Sequence, residues 1–260
     1  MTDSSVRERV LVTGASAGIG LELARCFAAD GSDLVLVARR ADRLDELAAA
    51  LREAHGGDVR TVAVDLATSR GTDELMQQLG DQKLRVDILA NNAGFGARGP
   101  FIELDLERQL EMIRLNVVAL VELTGRLLPA MVEHGRGGVL NVASVAAFQP
   151  GPRMAMYYAT KAMVLSFSEA LHEELRGTPI HVSCLCPGPT ASEFSDVAGM
   201  RGSRMFQGGV MSAEAVARAG VRGLRRNRAI VIPGLANKVI PQLERFVPRR
   251  LVRWVAARMQ

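Results

Sequence analysis

The chain has 260 residues, of which 48% are hydrophobic and 23% charged, and its formal net charge is +4. This composition suits a globular protein with a buried sheet and is unlike that of a disordered chain. A polar, charged start predicts no signal peptide, and the longest apolar runs are too short to span a bilayer. Three cysteines without metal-ligand spacing or histidine partners predict no metal site and a cytoplasmic, reducing location.

Strands and helices are predicted to alternate along the chain. The strands are expected at 9–13, 33–38, 59–64, 86–91, 137–143, 180–186 and 229–232. The helices are expected near 18–30, 41–54, 69–81, 104–133, 156–176 and 212–226. This alternation is typical of an α/β fold with a doubly wound parallel sheet, in which ligands bind beyond the carboxyl ends of the strands.

The first strand runs directly into a glycine-rich turn. Thr13 is followed by Gly14, Gly18 and Gly20, and a helical segment begins within the turn. Glycines permit a sharp turn and close approach of a phosphate, and the free N–H groups of a helix start face an anion. The spacing differs from the Gly-x-Gly-x-x-Gly fingerprint, and the alternative is a turn that binds nothing. The strand–glycine–helix order favours a nucleotide site.

Two arginines follow the second strand, at the place that distinguishes nucleotide cofactors. A site for NAD carries an acidic residue there to hold the ribose 2′-hydroxyl, whereas Arg39 can pair with a 2′-phosphate. The alternative is that Arg39 and Arg40 are solvated surface charges. Asp65 follows the third strand. It is a candidate cofactor contact, and the alternative is that it is a helix N-cap.

Tyr157 and Lys161 are one helical turn apart and would share a helix face. An ammonium group beside a phenol favours the phenolate and lowers the tyrosine pKa from its usual value of about 10. Ser144 follows the fifth strand and could hold a substrate oxygen against the phenol. An isolated Tyr-x-x-x-Lys pair is usually an ordinary helix face, so its meaning depends on the nucleotide-site pattern that precedes it.

The ordered set of these residues resembles the short-chain dehydrogenase/reductase family, and within it the NADP-dependent reductases. The match covers most of the chain and consists of Thr13, Gly14, Gly18, Gly20, Asp65, Asn91, Asn92, Ala93, Gly94, Asn116, Ser144, Tyr157, Lys161, Pro187 and Gly188. Ser192 departs from the threonine that relatives often carry, and Tyr158 fills a variable position. The resemblance implies a single Rossmann-type sheet of about seven strands flanked by helices, with a C-terminal helical extension.

The resemblance also implies NADP(H) as the cofactor and the interconversion of a carbonyl and an alcohol. The catalytic set would be Asn116, Ser144, Tyr157 and Lys161. Ser144 and Tyr157 would hold the carbonyl oxygen, and Asn116 would hold a water near Lys161. Cofactor contacts would come from Gly14, Ser16, Gly18, Ile19, Gly20, Arg39, Arg40, Asp65, Leu66, Asn92, Ala93, Gly94, Tyr157, Lys161, Pro187, Gly188 and Thr190. For Asn116, the alternative is a capped kink in a helix.

We therefore predict three regions: a flexible N-terminus at 1–8, an NADP-binding catalytic domain at 9–235 and a basic amphipathic extension at 236–260. The partners would be a small carbonyl or alcohol substrate and further copies of the chain, as a dimer or tetramer, with no nucleic acid. The alternative function is a non-catalytic NADP-binding module, regulatory or membrane-associated. The intact set of Ser144, Tyr157 and Lys161 argues against that alternative.

The segment 191–211 is predicted to cover the substrate pocket. Glycines and soft apolar side chains suit a mobile lid over a bulky apolar substrate. The apolar residues of the segment are Phe194, Val197, Met200, Met205, Phe206, Val210 and Met211. We expect four more residues to line the pocket, namely Phe95, Phe148, Pro150 and Met154. The alternative is a loop whose methionines only pack on the body of the protein.

The C-terminal part is strongly basic. After Ala213 it carries eleven basic residues against two acidic ones, although the net charge of the whole chain is only +4. From Pro248 the pattern predicts an amphipathic helix with an apolar stripe that includes Val252 and Val255. Such a helix could pack on its own core, on a partner subunit or peripherally on an anionic membrane surface.

Overall fold

This computed structural model of the protein describes residues 7–194, 210–235, 237–239 and 247–259. The strands are β1 (Arg9–Thr13), β2 (Asp33–Ala38), β3 (Val59–Ala63), β4 (Ile88–Asn91), β5 (Gly137–Val142), β6 (Ile180–Leu185), β7 (Thr190–Ala191), β8 (Met211–Ser212) and β9 (Ile230–Val231). The helices are α1 (Gly18–Ala29), α2 (Ala41–His55), α3 (Gly71–Asp81), α4 (Leu106–Ile113), α5 (Ala119–Glu133), α6 (Ala155–Glu174), α7 (Ala213–Arg225) and α8 (Arg249–Met259). Short 3₁₀ helices cover Phe101–Glu103 and Val145–Phe148.

Seven strands form one parallel sheet in the order β3-β2-β1-β4-β5-β6-β9. The order reverses direction between β1 and β4, which is the arrangement of a doubly wound sheet. This confirms the predicted fold class. Several predicted elements are one or two residues too long; the sixth strand, predicted at 180–186, ends at Leu185, although the backbone nitrogen of Cys186 still donates to the backbone oxygen of Val231 at 2.8 Å.

Both faces of the sheet are buried, because successive side chains of each strand point to opposite sides. In β2, Leu34 and Leu36 pack with helices α1 and α2, whereas Val35 and Val37 pack with α3 and α5 on the other face. The central strands are therefore apolar at almost every position. The polar residues at the carboxyl ends of these strands are exceptions to this apolar pattern.

Residues 106–133 form one continuous helical run that contains a π-helical turn at Arg114–Val118. By length and composition alone, this run could cross a membrane, so the expectation drawn from short apolar runs was wrong. Leu123, Leu127 and Met131 are buried in the core beneath the sheet. The apolar composition of the run therefore has an explanation in core packing.

The two ends of the segment 191–211 are held together by a small parallel pairing. Thr190 pairs with Met211 and Ala191 with Ser212, as strands β7 and β8. Four of the predicted lid residues, Val197, Met200, Met205 and Phe206, lie outside the described residues. The anchoring pair is a feature that the sequence did not predict.

Helix α8 confirms the predicted helix after Pro248. Leu251, Trp254 and Val255 are exposed, whereas Ala256 is buried. The guanidinium carbon of Arg258 lies 3.4 Å from the centroid of the Trp254 ring, a cation–π contact. Most of the apolar surface of this helix is therefore open to contact.

The packing of α7 on β9 predicts a large difference between two glycine substitutions. In Gly223→Ala, the new Cβ would overlap the side chain of Val231, so overpacking should cost about 1–3 kcal/mol of unfolding free energy. Gly125→Ala is the control, because nothing lies within 4 Å of its Cβ on the exposed side of α5. That change should stabilise the protein by about 0.5–1 kcal/mol. Urea denaturation measures both, and an unaffected Gly223→Ala protein would contradict the packing.

Candidate active site

The turn between β1 and α1 is built to approach a phosphate closely. Gly14 has φ +67°, and a Cβ there would lie 2.8 Å from Nδ2 of Asn92. Ala17, the N-cap of α1, makes no side-chain hydrogen bond to the helix, and no acidic residue lies in the first turn. The first N–H groups of α1 therefore have no side-chain cap and carry the positive end of the helix dipole. These features fit a pyrophosphate.

Asn92 holds the glycine turn against the end of β4. Its Nδ2 donates to the backbone oxygens of Thr13 at 2.9 Å and Gly14 at 3.3 Å. In return, the Thr13 hydroxyl accepts from the backbone nitrogens of Asn92 at 2.9 Å and Ala93 at 3.0 Å. Asn92 thus shapes the turn, a role that the sequence pattern alone did not reveal.

Arg40 lies at the centre of a polar cluster beside the turn. Its Nη2 donates to Oγ of Ser16 at 3.0 Å, and its Nη1 forms an ion pair with Glu193 at 3.0 Å. Arg43 pairs with the same carboxylate at 2.5 Å, and this hydrogen bond lowers the pKa of Glu193. Glu193 follows β7, so it connects the base of the segment 191–211 to the arginines after β2. No motif in the sequence indicated this residue.

Asp65 does not cap a helix. Its Oδ1 accepts from the backbone nitrogen of Ala67 at 3.0 Å, whereas α3 begins only at Gly71. Nη1 of Arg39 lies 3.8 Å from Oδ2 of Asp65, and both side chains are substantially exposed. This excludes the helix-cap alternative and places the carboxylate beside the predicted cofactor arginines.

Ser144 and Tyr157 bring their hydroxyl groups together. Ser144 is the N-cap of the 3₁₀ helix Val145–Phe148, where its Oγ accepts from the backbone nitrogen of Ala146 at 3.1 Å. Tyr157 lies in the first turn of α6 and is buried. Burial raises the pKa of Tyr157, and the hydrogen bond with Ser144 opposes that rise. The phenol is therefore protonated at neutral pH.

The structure corrects the predicted effect of Lys161 on Tyr157. Nζ of Lys161 lies 5.9 Å from the Tyr157 ring centroid and donates to the backbone oxygen of Val142 at 2.8 Å. Desolvation of the buried phenol is the main influence on the pKa of Tyr157, which is therefore raised rather than lowered. Burial also lowers the pKa of Lys161 to about 8.

Asn116 lies buried in the π-helical turn, where it joins two elements of the site. Its Nδ2 donates to the backbone oxygen of Phe95 at 3.0 Å and to Oγ1 of Thr160 at 3.2 Å. Its Oδ1 accepts from the backbone nitrogen of Phe95 at 3.1 Å. Both amide hydrogens of Asn116 therefore already donate to groups of the protein. Any water at this site would have to donate to Oδ1 or bind the backbone.

One cavity of about 390 Å³ connects these parts. All the predicted cofactor residues except Gly20 line it, and so do Ser144, Tyr157 and Lys161. Gly20 instead packs against Gly14, and Asn116 lies behind the lining.

The apolar part of the cavity differs from the prediction at two positions. Phe95, Met154 and Phe194 line it as expected, but Phe148 and Pro150 do not. Phe148 ends the 3₁₀ helix after Ser144 and packs in a separate buried cluster on the far side. Sequence reasoning also missed Arg108, whose guanidinium carbon stacks 3.8 Å from the Phe95 ring centroid at the cavity wall.

Known proteins resemble this chain along most of its length. A family model described as short chain dehydrogenase matches residues 8–199. The ketoacyl reductase HetN of Nostoc sp. is 32% identical over 223 residues, which are 86% of this chain and 77% of that protein. The human very-long-chain 3-oxoacyl-CoA reductase is 34% identical over 194 residues, 73% of this chain and 62% of that protein. A short-chain dehydrogenase from Sphingobium yanoikuyae, solved in complex with NADPH, is 37% identical with a TM-score of 0.81, over 88% of both chains.

The chain belongs to the short-chain dehydrogenase/reductase family, as the ordered residues predicted. It is an oxidoreductase that acts on carbonyl and alcohol groups. The aligned region spans less than two thirds of the human reductase.

The buried ammonium of Lys161 predicts a specific pH dependence of stability. Its pKa of about 8 in the folded protein lies below the ordinary lysine value of 10.5, so the unfolded chain binds more protons between these values. Relative to a Lys161→Met variant, the wild-type protein should gain about 3 kcal/mol of unfolding free energy as pH rises through this interval. Urea denaturation of both proteins from pH 7 to 10.5 measures the difference. A difference that does not change with pH would exclude a perturbed Lys161.

Proposed function

We propose that the protein is an NADPH-dependent reductase of ketones or aldehydes attached to an apolar chain. We assign Ser144, Tyr157 and Lys161 as catalytic residues and Asn116 as the residue that positions them. The observation that carries this proposal is the hydroxyl pair of Ser144 and Tyr157, which lies in the same cavity as the glycine turn and Arg40.

The residues present fit NADP(H) along the length of the cavity. The uncapped start of α1 and the glycines before it would hold the pyrophosphate. Arg40, with Arg39 and Ser16 beside it, would hold a 2′-phosphate through charge-assisted hydrogen bonds. The bound cofactor supplies the hydride. The solved relative from Sphingobium yanoikuyae, a complex with NADPH, supports this choice.

The protein's own contribution is proton transfer to the substrate oxygen. Two adjacent hydroxyls, those of Ser144 and Tyr157, can both donate to one carbonyl oxygen. Because the Tyr157 phenol is protonated at neutral pH, it is ready to donate its proton as negative charge develops on that oxygen. The Lys161 ammonium is also buried nearby and stabilises the phenolate that remains.

The cavity wall next to Tyr157 favours an apolar substrate. The Phe194 ring centroid lies 5.3 Å from that of Tyr157, and Phe95 and Met154 belong to the same buried cluster. A hydrocarbon chain would bury these surfaces further. Two of the relatives are named as ketoacyl or 3-oxoacyl-CoA reductases, which supports an acyl chain bearing a ketone as the substrate class.

The proton-donor role predicts the behaviour of two neighbouring tyrosines. Tyr157→Phe should lower kcat for the NADPH-dependent reduction of a 3-oxoacyl thioester by about 100-fold or more, with an unchanged Kd for NADPH. Tyr158→Phe, the matched control, should retain turnover. NADPH absorbance gives the rates, and fluorescence titration gives the Kd. If Tyr157→Phe keeps about a tenth or more of the wild-type rate, the assignment of Tyr157 as the proton donor fails. Lack of turnover by the wild-type protein on ketones and aldehydes would instead favour a non-catalytic module.

The cluster around Arg40 predicts how cofactor preference changes. Arg40→Gln should weaken NADPH binding by about tenfold, because it removes hydrogen bonds to a charged group, and should leave NADH binding unchanged. Arg43→Gln is the matched control, since Arg43 pairs with the same Glu193 but does not line the cavity.

Glu193→Gln should tighten NADPH binding, because the carboxylate competes with a 2′-phosphate for Arg40. Titration of both cofactors by fluorescence measures these effects. Equal losses of NADPH affinity in Arg40→Gln and Arg43→Gln would show only a general effect of charge. A wild-type preference for NADH would overturn the assignment of a 2′-phosphate site.

A further inference from the structure

A second cavity, of about 600 Å³, lies at the β9 edge of the main sheet. It shares no lining residue with the active-site cavity. Its lining includes the apolar residues Phe148, Ile230 and Ile232, which we call the floor. It also includes four basic residues, Arg222, Arg226, Arg228 and Lys238, which we call the rim, and no acidic residue among those described. The cavity therefore combines apolar surface with positive charge.

Among the described residues, no neighbouring acid balances the charges of this rim. Elsewhere on α7, Arg218 pairs with Glu214 at 2.6 Å and Arg225 with Glu8 at 2.5 Å. Within the part of the chain that the structure describes, none of the four rim residues pairs with a carboxylate. Nε of Arg222 donates to the backbone oxygen of Arg218 at 3.2 Å. Arg218 and Arg225 are thus neutralised, whereas the four rim residues have no acidic partner in the ranges that the structure describes.

Two simpler explanations account poorly for this rim. Basic residues do favour the carboxyl end of a helix, but the helix dipole there amounts to only about half an elementary charge. A second copy of the chain, placed by a two-fold axis that passes through the cavity, would set the same basic residues against one another. Four bases that have no acidic partner within the described part of the chain are instead complementary to an anion with several negative charges. Arginine forks match the geometry of phosphate oxygens.

We propose that this cavity binds the phosphate group of an anionic amphiphile. The guanidinium groups of Arg226 and Arg228 hold the phosphate, and the apolar floor holds the adjoining hydrocarbon. Leu235 and Val239, which are 83% and 54% exposed, lie within three residues of Lys238 in the sequence. A free phosphorylated amphiphile and a membrane phospholipid share this chemistry. The site is separate from the NADP(H) cavity and does not depend on the proposed reductase activity.

The test compares two double variants of the full-length protein that lose the same charge. Arg226→Gln with Arg228→Gln removes half of the rim. Arg176→Gln with Arg218→Gln is the matched control, because Arg176 pairs with Glu173 at the end of α6 and Arg218 pairs with Glu214 on α7. The probe is dihexanoyl phosphatidic acid below its micelle concentration, titrated by calorimetry. We expect saturable binding to the wild-type and control proteins, weakened in the rim variant by about tenfold or more. Circular dichroism checks that each variant is folded.

Further measurements identify the source of the ligand and could overturn the proposal. Co-sedimentation with phosphatidylglycerol vesicles that is lost in the rim variant indicates a membrane lipid, and binding of only the soluble probe indicates a free ligand. The proposal fails if the wild-type protein does not bind the probe, or if both double variants lose affinity equally. It also fails if inorganic phosphate binds as tightly as the amphiphile, since the apolar floor would then be irrelevant. Light scattering that finds the wild-type oligomer dissociated by the rim substitutions would assign the surface to a subunit interface.

Discussion

The hydrogen bond from Nζ of Lys161 to the backbone oxygen of Val142 is the interaction on which the geometry of the active site depends. Val142 ends β5, two residues before Ser144, and Lys161 lies one helical turn after Tyr157. This buried bond between α6 and β5 therefore sets how the helix that carries Tyr157 lies against the strand that leads to Ser144. Because an ammonium without an acceptor is costly in the interior, the position of α6 along the strand is strongly determined.

Other buried polar contacts restrain α6 in the same position. Nδ2 of Asn141 donates to Oγ of Ser168 at 2.9 Å, farther along the helix, and Nδ2 of Asn91 donates to Oδ1 of Asn141 at 2.9 Å. Asn116 makes a third connection, from the π-helical turn to Thr160. Leaving any of these groups unpaired in the core would cost about 1–3 kcal/mol. Together they provide a rigid frame for residues that must meet a substrate at fixed distances.

The opposite end of the cavity is organised by charge and lies nearer to solvent. Glu193 pairs with both Arg40 and Arg43, and it follows the β7 strand whose pairing with β8 anchors the segment 191–211. The arginines after β2 and the base of the segment 191–211 are thus physically linked. Exposed ion pairs of this kind contribute little stability. The two ends of the cavity therefore differ in what holds them: buried hydrogen bonds at one end and partly exposed ion pairs at the other.

The sequence by itself determined the doubly wound fold and most of the residues in the cavity, because these depend on local spacing. The glycine turn, the interval from Tyr157 to Lys161 and strands buried on both faces are readable within short windows. Tertiary structure decided what depends on burial and distant contacts. The pKa of Tyr157 rises because the surrounding fold removes water from the phenol. Arg40 meets Glu193 across 153 residues of sequence, and the same fold leaves the rim arginines on α7 without an acidic partner among the described residues. Such pairings follow from how helices and strands pack in three dimensions, which no local pattern records.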